Sequence, residues 1–194
     1  MDWILGFFLG LGLAAAAGFR VFVPLFLVSL SAHTGHLDLA DRFAWIGSLP
    51  ALITFGAATL FEIGAYYIPF LDNLLDTIAV PAAAVGGTLL MATALFDADP
   101  LIRWTVALIA GGGTAATIKG AASGIRLGST ATTGGLANPL VSTSETAGSF
   151  GLGILSLALP WLAGLLALAL LVFLVRKAGT LRRRFDRNHR SASD

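Results

Sequence analysis

Five apolar segments are the feature of this sequence that most constrains its fold. A helix needs about 20 mainly apolar residues to cross the roughly 30 Å hydrocarbon core of a bilayer. The segments are residues 3–31, 51–68, 74–96 (or 81–96), 101–127 and 150–175. Only 12% of the 194 residues are charged, about half the share that is usual in soluble domains. The sequence therefore predicts an all-α, polytopic transmembrane helical bundle and excludes a soluble enzyme domain.

The first segment is too long for one straight crossing. It is interrupted by Gly18, Arg20 and Pro24, and a proline inside a helix removes a hydrogen bond and clashes with the preceding turn. We therefore expect a broken helix or two half-helices here, and the segment crosses the membrane either once or twice. The expected bundle has five to six spans in a transmembrane domain of residues 1–176.

Basic residues are concentrated at the C-terminal end of the sequence. Seven of the 12 Lys and Arg residues lie in the last 19 positions, directly after an apolar segment. The positive-inside rule places such a cluster in the cytoplasm, where it meets anionic lipid headgroups. We expect a multi-pass protein of the cytoplasmic (inner) membrane, with residues 177–194 as a basic, disordered cytoplasmic tail. We expect membrane lipids to be the partners of this tail, and we do not expect it to bind nucleic acid.

Four ionisable side chains lie inside the apolar segments, namely Arg20, Glu62, Lys119 and Arg126. Each costs about 2.5–3.5 kcal/mol at a helix centre unless it is paired or hydrated. We therefore expect Glu62 to meet the cations, above all Arg20, inside the bundle. Such a cluster is typical of a solute pathway. The alternatives are a buried ion pair that only fixes helix register, and side chains that snorkel from the span ends, Arg126 above all.

Two parts of the sequence nearly repeat each other, Ala15–Arg20 (AAAGFR) and Ala121–Arg126 (AASGIR). If these copies lie three spans apart they cross in opposite directions, as in an inverted-topology repeat. A carboxylate follows each copy, Glu62 in the first half and Glu145 in the second. Chance similarity in an Ala- and Gly-rich sequence is the alternative.

Polar residues without charge fill residues 128–148, which include Asn138. Irregular backbone at membrane depth is tolerated where it is buried in protein or lines an aqueous cavity. The segment is interpreted either as a re-entrant segment or as a surface loop.

A tentative cation site is predicted at Asp72, Asn73 and Asp76. The two carboxylates are four residues apart, on one face if helical, and their oxygens suit a hard cation. A first helical turn whose acidic residues complement the helix dipole is the alternative. No other cofactor is expected, and the absence of cysteine excludes thiolate chemistry.

The order of motifs resembles a bacterial membrane-protein family catalogued as domain of unknown function 4126. The resemblance covers residues 5–175 and rests on AGFRVFVPL at 17–25, Glu62, IPFLDNLLD at 68–76, Lys119 before Arg126, and NPLVS at 138–142 before Glu145. It implies no activity. Thr146 follows Glu145 where the family pattern leads us to expect a second acidic residue.

A small transporter or channel for an ion or small solute is the favoured functional hypothesis. Its pathway is expected to include Arg20, Glu62, Lys119, Arg126, Asn138 and Glu145. Gly- and Ala-rich helices favour close packing and hence a homo-oligomer. The alternatives are an intramembrane Mg²⁺-dependent enzyme that acts on a lipid diphosphate, and a non-catalytic membrane assembly partner.

The charge asymmetry gives a first testable prediction, on topology. A thiol introduced into the tail by Ala178→Cys should resist an impermeant maleimide in intact cells, because the positive-inside rule holds the tail in the cytoplasm. Labelling should appear after the cells are permeabilised. Efficient labelling before permeabilisation would contradict the assignment.

Overall fold

Helices form nearly all of the structure. A computed structural model describes residues 3–95 and 98–190, without the side chains of residues 69–74, 76 and 181–190. In chain order the helices are α1 (Trp3–Phe19), α2 (Phe22–His33), a 3₁₀ helix (Asp41–Gly47), α3 (Leu49–Ala65), α4 (Pro69–Ala94), α5 (Pro100–Val106), a π-helical segment (Ala107–Gly112), α6 (Gly113–Thr133), α7 (Asn138–Ala158) and α8 (Pro160–Arg190). The prediction of an all-helical fold is confirmed.

Prolines determine where the helices begin. Six of the seven lie in the first turn of a helix, where a missing N–H is not needed. A proline ring clashes with the carbonyl four residues earlier, and the preceding helices end close to that position. Thus α1 ends just before Arg20, four residues before Pro24, and α3 ends at Ala65, four before Pro69. Pro81 is the exception, inside α4.

Three helices in the described ranges are long and apolar enough to cross a membrane, namely Thr77–Ala94, Pro100–Thr133 and Pro160–Thr180. The 3₁₀ helix and α3 form a fourth candidate, bent by 58°. The predicted fourth segment is therefore one continuous helix, α5 to α6, and it contains the π-helical segment. α1 and α2 are shorter apolar helices, and the gap between them is the predicted break.

The polar stretch 128–148 forms a helical hairpin, so the expectation of irregular backbone there is wrong. α6 continues to Thr133, and α7 begins at Asn138. Two glycines with positive φ, Gly134 and Gly135, make the turn between them, a conformation that costs glycine little.

At the C-terminal end of the chain, α8 continues to Arg190, where a disordered tail was expected from residue 177.

α1 lies at the centre of the bundle. Every residue from Leu9 to Gly18 is buried, and the helix packs against α4, α6, α7 and α8. Most of these residues are Gly or Ala, whose small size lets neighbouring backbones approach closely. Large apolar side chains instead lie outside, as at Leu60, Leu101 and Ile109, which suits a surface covered by lipid.

A close backbone contact joins α4 to the π-helical segment. A Cβ built on Gly111 would lie 2.5 Å from the Gly87 carbonyl oxygen and 2.5 Å from the Met91 Cβ. Glycine is therefore required at this crossing, because any side chain would separate the two helices.

This contact predicts that Gly111→Ala lowers the thermal unfolding temperature of the purified protein. Overpacking of this kind costs about 1–3 kcal/mol, and here backbone must move. Gly113→Ala is the matched control, because its new Cβ would have no described atom within 4 Å. Alanine is the better helix former, so the control should be as stable as the wild type. Equal losses in both variants would contradict the packing described.

Candidate functional site

A buried arginine occupies the break between α1 and α2. Arg20 follows the last residue of α1 and precedes Val21, and its side chain is 0% exposed. A broken helix leaves carbonyls without partners at one end and amides without partners at the other. Backbone groups released inside an apolar bundle must find other partners, and nearby side chains can supply them.

Lys119 and Glu62 satisfy the two broken ends. The Lys119 ammonium, on α6, donates to the Phe19 carbonyl at 3.0 Å. The Glu62 carboxylate, on α3, accepts from the backbone amides of Val21 at 2.9 Å and Phe22 at 3.0 Å. A cation at a helix C-terminus and an anion at a helix N-terminus both stabilise the helix dipole. Each charge therefore has a partner in the backbone.

The expected direct pairing of Glu62 with Arg20 is not found. Both oxygens of Glu62 accept from the start of α2, whereas the Arg20 side chain points toward α7. The free amides of α2 attract the carboxylate because they are the nearest donors on the same broken backbone. Glu62 and Arg20 do lie at the same break, as the sequence indicated.

α7 holds the Arg20 guanidinium. Nη2 donates to the Ser142 hydroxyl at 2.5 Å and to the Ser142 carbonyl at 3.1 Å, and Nε donates to the Thr146 hydroxyl at 3.2 Å. Glu145 lies 3.8 Å from Nη2. Thr146, where an acidic residue was expected, therefore contributes a neutral acceptor to the same cation.

The second arginine, Arg126 on α6, reaches the same carboxylate. Its Nη2 forms a hydrogen-bonded ion pair with Glu145 Oε2, so Glu145 lies between Arg20 and Arg126. All three side chains are buried. Two helices and the break are thus joined by one carboxylate.

Tyr66 completes the cluster, and sequence reasoning missed it. Its ring lies 3.9 Å from the Arg20 Cζ, 4.0 Å from the Arg126 Cζ and 5.1 Å from the Lys119 ammonium. Cations at such distances are attracted by the negative face of an aromatic ring. Its position four residues after Glu62, on the same helix face, is the signal that could have identified it. We call Arg20, Glu62, Tyr66, Lys119, Arg126 and Glu145 the charge cluster.

α7 presents a polar face to the interior, and its outward face combines apolar and small residues with Thr143 and Ser144. Its buried residues are Ser142, Glu145, Ser149, Gly153 and Ser156, whereas Leu140 is 74% and Ile154 55% exposed. This polarity is the reverse of that of a helix on a soluble protein. It is the arrangement expected where lipid lies outside and a polar site inside.

The other predicted site residues lie away from the charge cluster or outside the described side chains. Asn138 is at the start of α7 and donates to the Thr130 hydroxyl at 3.0 Å. The side chains of the tentative cation site, Asp72, Asn73 and Asp76, lie outside the described residues. Among the side chains that are described, no group of three or more His, Asp or Glu could hold a metal ion.

Arg103 is a fourth buried cation among the described residues, and sequence reasoning missed it. It donates from Nε to the Leu95 carbonyl at 3.0 Å and from Nη2 to the Ala98 carbonyl at 2.7 Å. These carbonyls follow the C-terminus of α4, where a cation complements the helix dipole. Arg103 thus holds the α4–α5 connection and has a structural role separate from the charge cluster.

The bonds of Glu62 predict that its removal is costly. Glu62→Ala leaves the Val21 and Phe22 amides without their acceptor, at about 1–3 kcal/mol each, and should lower the thermal unfolding temperature of the detergent-solubilised protein. Thr59→Val, three residues earlier on α3, is the control. The Thr59 hydroxyl is buried without a partner, so its replacement by a methyl group should be neutral or stabilising. Comparable stability of the Glu62 variant and the wild type would contradict the capping role.

Comparison with known proteins agrees with the resemblance seen in the sequence. A search found no match among curated proteins and none among solved structures. One family model, "Domain of unknown function (DUF4126)", matches residues 7–179. This match covers most of the chain and includes every member of the charge cluster. The chain therefore belongs to the DUF4126 family.

Proposed function

We propose that the chain is a small membrane transporter or channel that moves an ion or small solute through the charge cluster. The observation that carries the proposal is the convergence of three buried cations on one tyrosine ring, beside two buried carboxylates, in an apolar bundle. Charged residues inside a membrane bundle typically mark ion or substrate pathways.

The break between α1 and α2 supports a binding role for the charge cluster. Discontinuous helices bring backbone groups and charged side chains together at the binding sites of many transporters. Here Arg20 lies in the break itself, and its Nη1 has no hydrogen-bond partner. A purely structural pair would be expected to satisfy all of its donors, since an unsatisfied buried group costs about 1–3 kcal/mol.

The proposal includes six crossings of the inner membrane. α1 and α2 together would make one, and α3, α4, the continuous α5–α6 helix, α7 and α8 one each. The two similar segments, ending at Arg20 and Arg126, would then lie in crossings one and four, which run in opposite directions. The meeting of both arginines at Glu145 and Tyr66 supports an inverted repeat. Because the number of crossings is even, both termini would lie on the same side of the membrane. The basic C-terminal residues favour the cytoplasm as that side.

The proposal also includes association of the chain with copies of itself. α8 exposes Leu165, Val172 and Phe173, so this helix can pack against lipid or against another copy of the chain. A homo-oligomer would cover part of the outward apolar surface, and the charge cluster would remain inside each copy.

Flux measurements on reconstituted protein test the function. Proteoliposomes should pass potassium, chloride, nitrate or phosphate, or a small neutral solute, faster than protein-free liposomes. Ser142→Ala removes the hydroxyl that accepts from Arg20, and loss of a hydrogen bond to a charged group should change the rate by about threefold or more.

Ser156→Ala is the matched control for this measurement. Ser156 is also a buried serine on the inner face of α7, but its hydroxyl bonds to the Leu152 carbonyl of its own helix, at 2.6 Å. The control should transport at the wild-type rate. Equal rates in all three proteins, or a wild type that passes none of these probes, would reject the proposed function.

A further inference from the structure

Buried polar atoms without partners extend from the charge cluster along α6 and α7. They include Arg20 Nη1, Glu145 Oε1, Ser123 Oγ, Ser129 Oγ and Asn138 Oδ1. An isolated unsatisfied atom of this kind costs about 1–3 kcal/mol. Five of them in one region indicate that water or a solute supplies the missing hydrogen bonds there.

The positions of these atoms define two facing stripes. On α6, Ser123 and Ser129 lie three residues to either side of Arg126, on the face that carries this cation. On α7, Asn138 and Glu145 lie two helical turns apart on one face. The stripes meet at the Arg126–Glu145 ion pair and again at the Asn138–Thr130 hydrogen bond. The two stripes therefore face each other from the charge cluster to the turn at residues 134–137.

The charges along the two stripes favour an anion. Residues 127–144 contain no Asp, Glu, Lys, Arg or His, so a solute passing from the turn first meets Arg126 and Glu145, and then Arg20 and Lys119. Glu145 lies between the two arginines, and Glu62 binds backbone amides. The donor without a partner at the inner end is Arg20 Nη1, and guanidinium groups bind oxyanions well.

We propose that the α6–α7 hairpin encloses a hydrated vestibule that leads small anions to Arg20 and Lys119. The proposal rests on the proposed function in taking the charge cluster as the solute site. It adds the route by which a solute arrives and the sign of its charge. The mouth of the vestibule is the turn between α6 and α7.

Thiol accessibility tests the route directly, because the natural chain contains no cysteine. Ser123→Cys and Ser129→Cys place single thiols on the α6 stripe with little change of volume. Ile125→Cys and Ile154→Cys are the matched controls, on the outward faces of the two helices and away from the turn. Their side chains are 61% and 55% exposed in the absence of lipid. Ile125 lines a mainly apolar cavity of about 430 Å³ between α6, α7 and α8.

The probes are two small methanethiosulfonates, one carrying a sulfonate and one a trimethylammonium group, applied to open membrane fragments. Both serine-site thiols should react, and both controls should not, although the controls are the more exposed residues. At Ser123→Cys the ratio of anionic to cationic reaction rates should exceed the ratio for free 2-mercaptoethanol by about tenfold, corresponding to about 1.4 kcal/mol of attraction. Each variant is first shown to elute as the wild type does on size exclusion.

Three results would overturn the inference. They are unreactive thiols at both serine sites, controls that react as fast as the serine sites, and a rate ratio that favours the cationic reagent. These failures are distinct from failure of the proposed function. If Ser142→Ala still alters flux while Ser123→Cys and Ser129→Cys stay unreactive, transport stands and this route is wrong.

Discussion

The break between α1 and α2 is the constraint on which the rest of the structure depends. Pro24 cannot continue a helix through Arg20, so backbone donors and acceptors are released in the middle of an apolar bundle. The chain satisfies them with Lys119 from α6 and Glu62 from α3. Two helices distant in sequence are therefore fixed against the ends of α1 and α2.

The same break also determines which groups the Arg20 side chain contacts. Because the broken ends already have partners, its guanidinium is available to α7 and shares Glu145 with Arg126. Buried charges held in this way depend on one another, since removing one leaves the others uncompensated. The small residues of α1 let four neighbouring helices approach closely enough for such short bonds to form across the bundle.

Composition and proline positions were sufficient to predict the helical class, the break at Arg20 and the burial of Glu62 near cations. Arg126, which was the residue expected to snorkel from a span end, is buried as well. Pairing was less predictable, because the sequence does not show that free backbone amides attract Glu62 more effectively than Arg20 does. Tyr66 and Arg103 were missed since neither an aromatic residue nor a cation next to a polar turn stands out before the packing is known. The hairpin at 128–148 was interpreted as irregular because it is rich in Gly, Ser and Thr. Ser142 and Glu145 are its buried polar residues, whereas most of its threonines are exposed.

The reversed polarity of α7 has a consequence for biogenesis. A nascent segment leaves the translocation machinery for the bilayer according to its own hydrophobicity, and α7 is not among the described helices that are apolar enough to do so alone. Its serines and Glu145 require the arginines and backbone of α1, α2 and α6, all of which are synthesised earlier. Integration of α7 should therefore be a cooperative late step. The helices made earlier supply the hydrogen-bond and ion-pair partners that lipid cannot provide.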